Sequence, residues 1–238
     1  MKTKVMFILL ICLVFSCKKS DSDSSSNTVP LIKTLSTDSH VIGNYWYDDQ
    51  DRMTISRMVD GNSIDSTIYT YGNNSVERRF YRDNTLVEVE HGTIENGNLV
   101  LMRGNKPDSS SYWSTQFTYD NNGFLILEVH MDNDTVETWR VEYQVQNNNI
   151  IKMIRTNYIP VISTFDYYSG STNSLGSITK IGTFYSKNSS NLMKRCTMTY
   201  DIGTFEQIYN YEYYDNGWVK KLMSITGSDT VNSFYTYW

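Results

Sequence analysis

Short polar turn signals recur along the chain at hairpin intervals, and they restrict its fold more than any other feature. Asp60-Gly61-Asn62, Gly72-Asn73-Asn74, Asn96-Gly97-Asn98, Asp120-Asn121-Asn122-Gly123, Asp132-Asn133-Asp134, Asn147-Asn148-Asn149 and Asp215-Asn216-Gly217 all carry residues that accept the positive φ of a tight turn. Between the turns, side chains alternate with period two. Trp139, Val141, Tyr143 and Val145 share one face and Arg140, Glu142 and Gln144 the other, while Val87 and Val89 are set against Glu88 and Glu90. Beyond the N-terminal apolar run no stretch sustains a helical period with caps. The pattern predicts an all-β antiparallel meander of about fifteen strands, each paired with its sequence neighbour.

A weak internal repeat underlies the turns. Tyr47, Tyr71, Tyr119, Tyr143 and Tyr167 are spaced by multiples of 24 residues, and Ile68-Tyr69-Thr70-Tyr71, Phe117-Thr118-Tyr119, Tyr211-Glu212-Tyr213 and Phe234-Tyr235-Thr236-Tyr237 read as copies of one strand end. A period of that length means one hairpin per copy, stacked on its neighbours. The segments Tyr47-Asp48-Asp49-Gln50-Asp51-Arg52-Met53, Tyr119-Asp120-Asn121-Asn122-Gly123-Phe124-Leu125 and Tyr214-Asp215-Asn216-Gly217-Trp218-Val219 resemble the YD repeats of Rhs-type proteins. They resemble still more the degenerate copies of that repeat in Bacteroidota-type lipoproteins. Asp51 stands where the repeat has glycine, and the third copy reads as one residue short. The resemblance spans much of Tyr45 to Trp238. It implies hairpin repeats forming a large curled or spiralling sheet, and a link to carbohydrate binding without a defined site.

The N-terminus carries an address. Lys2 and Lys4 precede an uncharged apolar run, Val5 to Phe15, which is shorter than the roughly 20 residues a membrane-spanning helix needs. Leu13-Val14-Phe15-Ser16-Cys17 resembles the lipobox of bacterial lipoproteins, which implies that residues 1–16 are a cleaved signal and that Cys17 is acylated. Residues 17–28 then form the lipidated cysteine and a polar tether, since Lys18 to Thr28 contain no apolar residue to bury. Lys18-Lys19-Ser20-Asp21-Ser22-Asp23 resembles the charged stretch of lipoproteins sent to the cell surface, although a plain solvated linker has the same composition. Residues 29–238 are expected to form a single β-repeat domain. The expected address is outside the cytoplasm, on an outer-membrane lipid anchor and at the cell surface, with the membrane as a partner through Cys17.

Charge and side-chain chemistry exclude more than they assign. Without Lys2 and Lys4 the chain has 19 basic and 26 acidic residues, which argues against nucleic acid as a partner. Cys196 is left alone once Cys12 leaves with the signal and Cys17 takes lipid, so it reads as a buried thiol. His40, His91 and His130 lack close-spaced ligand partners, and no metal or cofactor is expected. Asp48-Asp49-Gln50-Asp51 and Asp132-Asn133-Asp134 offer hard oxygens of the kind calcium favours, but they fall where turns are required. No Gly-x-Ser-x-Gly elbow or phosphate loop is present and no catalytic residue is assigned. Glu88, Glu90, Glu128, Glu142 and Glu212 could supply a glycosidase pair, yet glutamates alternating with apolar residues read as solvent-side.

The aromatic residues carry the positive expectation. With 19 Tyr and 5 Trp, several aromatic rings should lie on an exposed sheet face, where they suit sugar rings or extended peptides. Trp46, Trp113, Trp139 and Trp218 are the candidate ligand-binding residues. Three functions follow. The first is a non-enzymatic surface lipoprotein binding a carbohydrate, a protein or another envelope component, or acting as a scaffold. The second is a secreted carboxylate-dependent hydrolase. The third is a membrane β-barrel, set below the others because several runs are short and polar on both faces.

Overall fold

The computed structural model describes residues 31–38, 41–105, 112–156, 160–173, 175 and 189–238. They form sixteen strands and no helix: β1 (Ile32–Thr37), β2 (Val41–Tyr47), β3 (Met53–Asp60), β4 (Ser63–Tyr71), β5 (Ser75–Arg82), β6 (Thr85–Glu95), β7 (Asn98–Asn105), β8 (Tyr112–Tyr119), β9 (Leu125–Asp132), β10 (Val136–Gln146), β11 (Asn149–Thr156), β12 (Val161–Thr172), β13 (Asn191–Tyr200), β14 (Gly203–Tyr213), β15 (Val219–Thr226) and β16 (Asp229–Tyr237). Every strand pairs antiparallel with its sequence neighbours, as the turn signals require. Asp83, Asn84, Asn96, Asn133, Asp134, Asn147 and Asn148 all hold positive φ at the hairpin tips, where their short polar side chains tolerate it.

The sheet is not the open, curled or spiralling one expected from the repeat. It is a closed barrel, because β16 pairs with β1 in the register Leu35 to Tyr235 and Thr37 to Ser233. The reason lies in irregularities that recur toward one end of most even-numbered strands. Register shifts fall at Trp46/Tyr47, Thr93/Ile94, Thr118/Tyr119, Gln144/Val145, Asp166/Tyr167 and Glu212/Tyr213, with a further one at Ile32/Thr34 where β1 meets β16. Each bulge adds bend and right-handed twist, and repeated around the sheet they bring its two edges together. Closure removes the unpaired edges that an open meander would leave.

The repeated turn follows one plan. Asp48 N–H donates to the Arg52 carbonyl and Asp51 N–H to the Asp48 carbonyl, while Asp48 Oδ1 accepts from the N–H groups of Gln50 and Arg52. Asp120 does the same with Phe124, Gly123 and Asn122. In the third copy Tyr214 donates to Trp218 and Gly217 to Tyr214. Tyr213-Tyr214 therefore occupies the place of Tyr47-Asp48, and this copy is of full length. Its register was misread because Tyr214-Asp215 mimics the motif one residue late. Asp51, Gly123 and Gly217 share the left-handed position at φ of 61°, 83° and 82°, so Asp51 does take the glycine's conformation.

The concave side of the wall is the packed one. In a closed barrel only inward side chains of distant strands can meet, and one buried cluster joins Ile32, Tyr45, Tyr69, Leu99, Phe117, Leu125, Leu192 and Tyr235. Each odd-numbered strand opens on a buried apolar residue: Ile32, Met53, Val76, Leu99, Leu125, Ile150, Leu192 and Val219. Over this belt runs a ladder of phenols. Tyr47, Tyr71, Tyr119, Tyr167, Tyr211 and Tyr237 donate to the carbonyls of Ile32, Met53, Leu99, Ile150, Met193 and Val219 at 2.6 to 2.9 Å. Each bond satisfies a shielded hydroxyl and ties one strand to the strand before it. Cys196 packs with Ile150 and Phe165 in a second buried cluster.

Candidate functional site

Two regions concentrate the side chains singled out in the sequence, one on each side of the wall. On the concave side, alternation brings Arg78 of β5, Glu88 and Glu90 of β6, Trp113 and Thr115 of β8, Glu128 and His130 of β9, Trp139 and Tyr143 of β10 and Arg155 of β11 to one face. His130 lies between two indoles, with ring centroids 5.2 Å from Trp113 and 4.8 Å from Trp139, the latter nearly parallel at 6°. Arg155 covers the far side of Trp139 at 5.6 Å. On the other side, the Trp113 ring lies across Gly104, where an added Cβ would sit 2.4 Å from ring atoms. That gap lets the Trp113 indole N–H reach across β7 to Glu88 Oε1 on β6 at 2.6 Å.

The carboxylates of this face have internal donors. Glu90, only 2% exposed, forms a charged pair with the Arg78 guanidinium directly opposite it on β5. Burial pushes the Glu90 carboxyl above the usual carboxylate range, and Arg78 partly offsets this. Burial likewise raises Glu128, whose Oε1 accepts the Tyr143 hydroxyl at 2.6 Å. Tyr143 is the member of the 24-residue series that leaves the carbonyl ladder, since its phenol serves a side chain instead. Burial lowers His130 below the ordinary imidazole value, so the ring is neutral near pH 7, and its Nδ1 lies 2.8 Å from Thr115 Oγ1.

These positions correct the expectation for three glutamates. Glu88, Glu90 and Glu128 face inward, whereas Glu142 and Glu212 are exposed on the convex side, Glu212 with Lys221 at 3.2 Å. The alternation of β6 was legible, but Val87 and Val89 rather than the glutamates point outward. Sequence reasoning took polarity as a sign of solvent, and Arg78, the signal for the opposite choice, lies on another strand. Among the described residues no group of His, Cys, Asp and Glu is arranged to hold a metal. His40 and Cys17 lie outside the described residues.

The four candidate tryptophans part company. Trp113 and Trp139 are united through His130, with their ring faces occupied by protein. Trp218 is half-buried at the third turn, 5.1 Å from the Tyr237 ring. Trp46 points outward from β2 and is 40% exposed. It begins the second region, a convex rung on which Trp46 pairs with Ile55 of β3 and Ile55 with Ile68 of β4, the last two 36% and 40% exposed. Trp238, 59% exposed, lies beside it, with its indole N–H on the Tyr45 carbonyl at 3.4 Å and Lys33 Nζ 4.2 Å from its ring. Trp238 is not among the four sequence candidates, because its place beside Trp46 depends on barrel closure.

Elsewhere the convex side mixes ion pairs with exposed apolar residues, among them Ile162, Ile208 and Phe234. Arg195 bridges Asp166 at 3.0 Å and Glu206 at 2.8 Å, and Arg140 meets Glu137 at 2.8 Å. At the end of β4 a shallow cleft of about 320 Å³ is lined by Thr70, Tyr71, Ser75, Glu77 and His91, with Glu77 3.5 Å from His91 and 2.8 Å from Arg79.

No protein-family profile matches the chain, and no curated protein is similar to it in sequence. Solved structures are similar in fold. A porin-like protein from Bacteroides uniformis matches with a TM-score of 0.67 at 13% identity, over 87% of this chain and 96% of that one. A porin-like protein from Bacteroides vulgatus matches with a TM-score of 0.59 at 11% identity, over 87% of this chain and 98% of that one. The chain shares with them an all-β barrel fold, and this closed architecture is the one the third sequence reading anticipated.

Proposed function

We infer that this chain is an exported, non-enzymatic outer-membrane lipoprotein, held by an acylated Cys17, whose barrel engages an envelope component through its convex side. The observation that carries the reading is the exposed rung from Trp46 to Ile68, which aligns large apolar side chains across three strands of the convex side. Large apolar side chains aligned on neighbouring strands mark interaction sites more often than scattered ones do. The concave network supports a structural role for the carboxylates, because Arg78, Trp113 and Tyr143 already serve them.

Fractionation of cells expressing the chain tests the address. The native chain should enter the outer-membrane fraction, and Cys17→Ser should release it in soluble form. A native chain that stays soluble would remove the anchor. Glu128, with its raised pKa, has the chemistry of a general acid, so a hydrolase remains the reading to challenge. Turnover of any glycan that disappears in both Glu128→Gln and Glu88→Gln would establish it.

A membrane-spanning barrel is the second reading, favoured by sixteen closed antiparallel strands and by the porin-like neighbours. Such a barrel needs an apolar outer band, and an Arg or Lys at the bilayer midplane costs about 2–4 kcal/mol. Arg57, Arg195 and Lys152 stand mid-strand on the convex side, which supports a water-facing wall. Solubility of the Cys17→Ser chain without detergent separates the two, since a spanning barrel would require detergent.

A further inference from the structure

We propose that the convex rung of Trp238, Trp46, Ile55 and Ile68 is a membrane-docking surface that lays the barrel against the lipid bilayer. The inference rests on the anchored reading of Cys17 and names the envelope component that the convex side meets.

Three observations select a lipid surface over other occupants. The first is position. Trp238 N–H donates to the Leu31 carbonyl at 3.0 Å, so Leu31, fourteen residues after Cys17, lies beside this rung. The fourteen-residue step from Cys17 to Leu31 spans at most about 50 Å, which holds the rung close to any bilayer that carries the acyl chains. The second is chemistry. Indoles flanked by cations are the side chains that settle at the boundary between headgroups and acyl chains. Here Lys33 lies over Trp238, Arg79 pairs with Ile68 on β5, and Arg57 stands one outward position beyond Ile55.

The third is shape. Ile42, Val59 and Ile64 form a second apolar rung on the same three strands, with Asn44, Arg57 and Ser66 between the two. The result is a shallow, amphipathic strip without a pocket for a defined side chain or sugar. It is suited to insertion by a few ångströms rather than to lock-and-key recognition. Because the exported chain carries net negative charge, apolar insertion rather than counterion release must supply the grip, and attachment should respond little to salt.

The test uses the mature chain with Cys17→Ser, so that acylation contributes nothing, and vesicles of phosphatidylcholine alone or with one-fifth phosphatidylglycerol. The chain should co-sediment with both. Partitioning should fall at least tenfold in W46S/W238S and in I55S/I68S, and less than twofold in I162S, which removes an equally exposed isoleucine from the opposite wall. Circular dichroism and thermal melting verify that each variant is folded. Brominated lipid should quench the native chain's fluorescence more than that of W46F/W238F. Failure of the native chain to partition or to be quenched would overturn the proposal. So would an equal loss in I162S, or light scattering that shows the strip buried in a stable dimer. Mass spectrometry of the native chain from cells tests acylation independently. An unmodified Cys17 alongside normal vesicle binding would sink the anchor and leave the strip standing.

Discussion

The concave cluster around His130 and the convex rung at Trp46 are built from the same residue types on one continuous wall, yet they stand in opposite conditions. In the cluster, Trp113 lies between Gly104 and His130, Trp139 between His130 and Arg155, and Glu90 against Arg78. On the rung, Trp46 and Trp238 keep two-fifths or more of their surface in water. Aromatic residues therefore do not mark a binding face by their number. The difference is whether the opposing strands supply partners, and curvature decides that: the concave face brings side chains together while the convex face spreads them apart.

The comparison breaks most easily at Arg78. Arg78→Met strands the buried Glu90 carboxylate, and unfolding by urea should show a loss of about 3 kcal/mol, at the low end for a broken buried pair because Arg78 is partly exposed. The loss should shrink as pH falls, since a protonated Glu90 needs no counter-ion. A loss below about 0.5 kcal/mol would place the pair in water and dissolve the distinction between the two faces. Tyr143→Phe leaves a buried acceptor unserved and should cost about 1–3 kcal/mol. Tyr71→Phe removes one ladder bond to the Met53 carbonyl and should cost about 1 kcal/mol. Equal losses would mean that Tyr143 is an ordinary rung of the ladder.

Glu128 sharpens the comparison through pH. Its carboxyl is raised in the folded chain, so between its ordinary value of 4.5 and the folded value the native state binds more protons than the unfolded one. Stability should therefore fall as pH rises through that window, and Glu128→Gln, which still accepts from Tyr143, should flatten the fall. Denaturation midpoints from pH 4 to 8 measure it, and an unchanged slope would place Glu128 in solvent. The smallest effect belongs to the convex side. Trp46→Ser should change stability by less than about 0.5 kcal/mol, because little packing is removed. A larger loss, read from the same urea curves, would make Trp46 part of the core.

Much of this was legible in the chain, and what was missed has a common cause. Asn147-Asn148 and Asn96-Gly97 announced their hairpins because positive φ is a local demand. The inward stripe Trp139, Val141, Tyr143 and Val145 was legible because alternation is also local, and the cross-strand register bears it out. On β6 the alternation was equally clear, but the face was misassigned: a glutamate is buried when an arginine waits across the barrel wall, and Arg78 is paired with Glu90 only by the β5–β6 register. The third turn was displaced by one residue because Tyr213 and Tyr214 both fit the motif, and only the hydrogen bonds of Tyr214 and Gly217 choose between them.

By itself the sequence determined an antiparallel meander of hairpins, since turn chemistry and period-two alternation act over a handful of residues and need no distant partner. Only the tertiary structure decided that the meander closes. The bulges that recur from strand to strand add their bends around the whole sheet until β16 meets β1. Closure then defines an inside and an outside, and with them which carboxylates are buried against donors and which tryptophans are left facing outward.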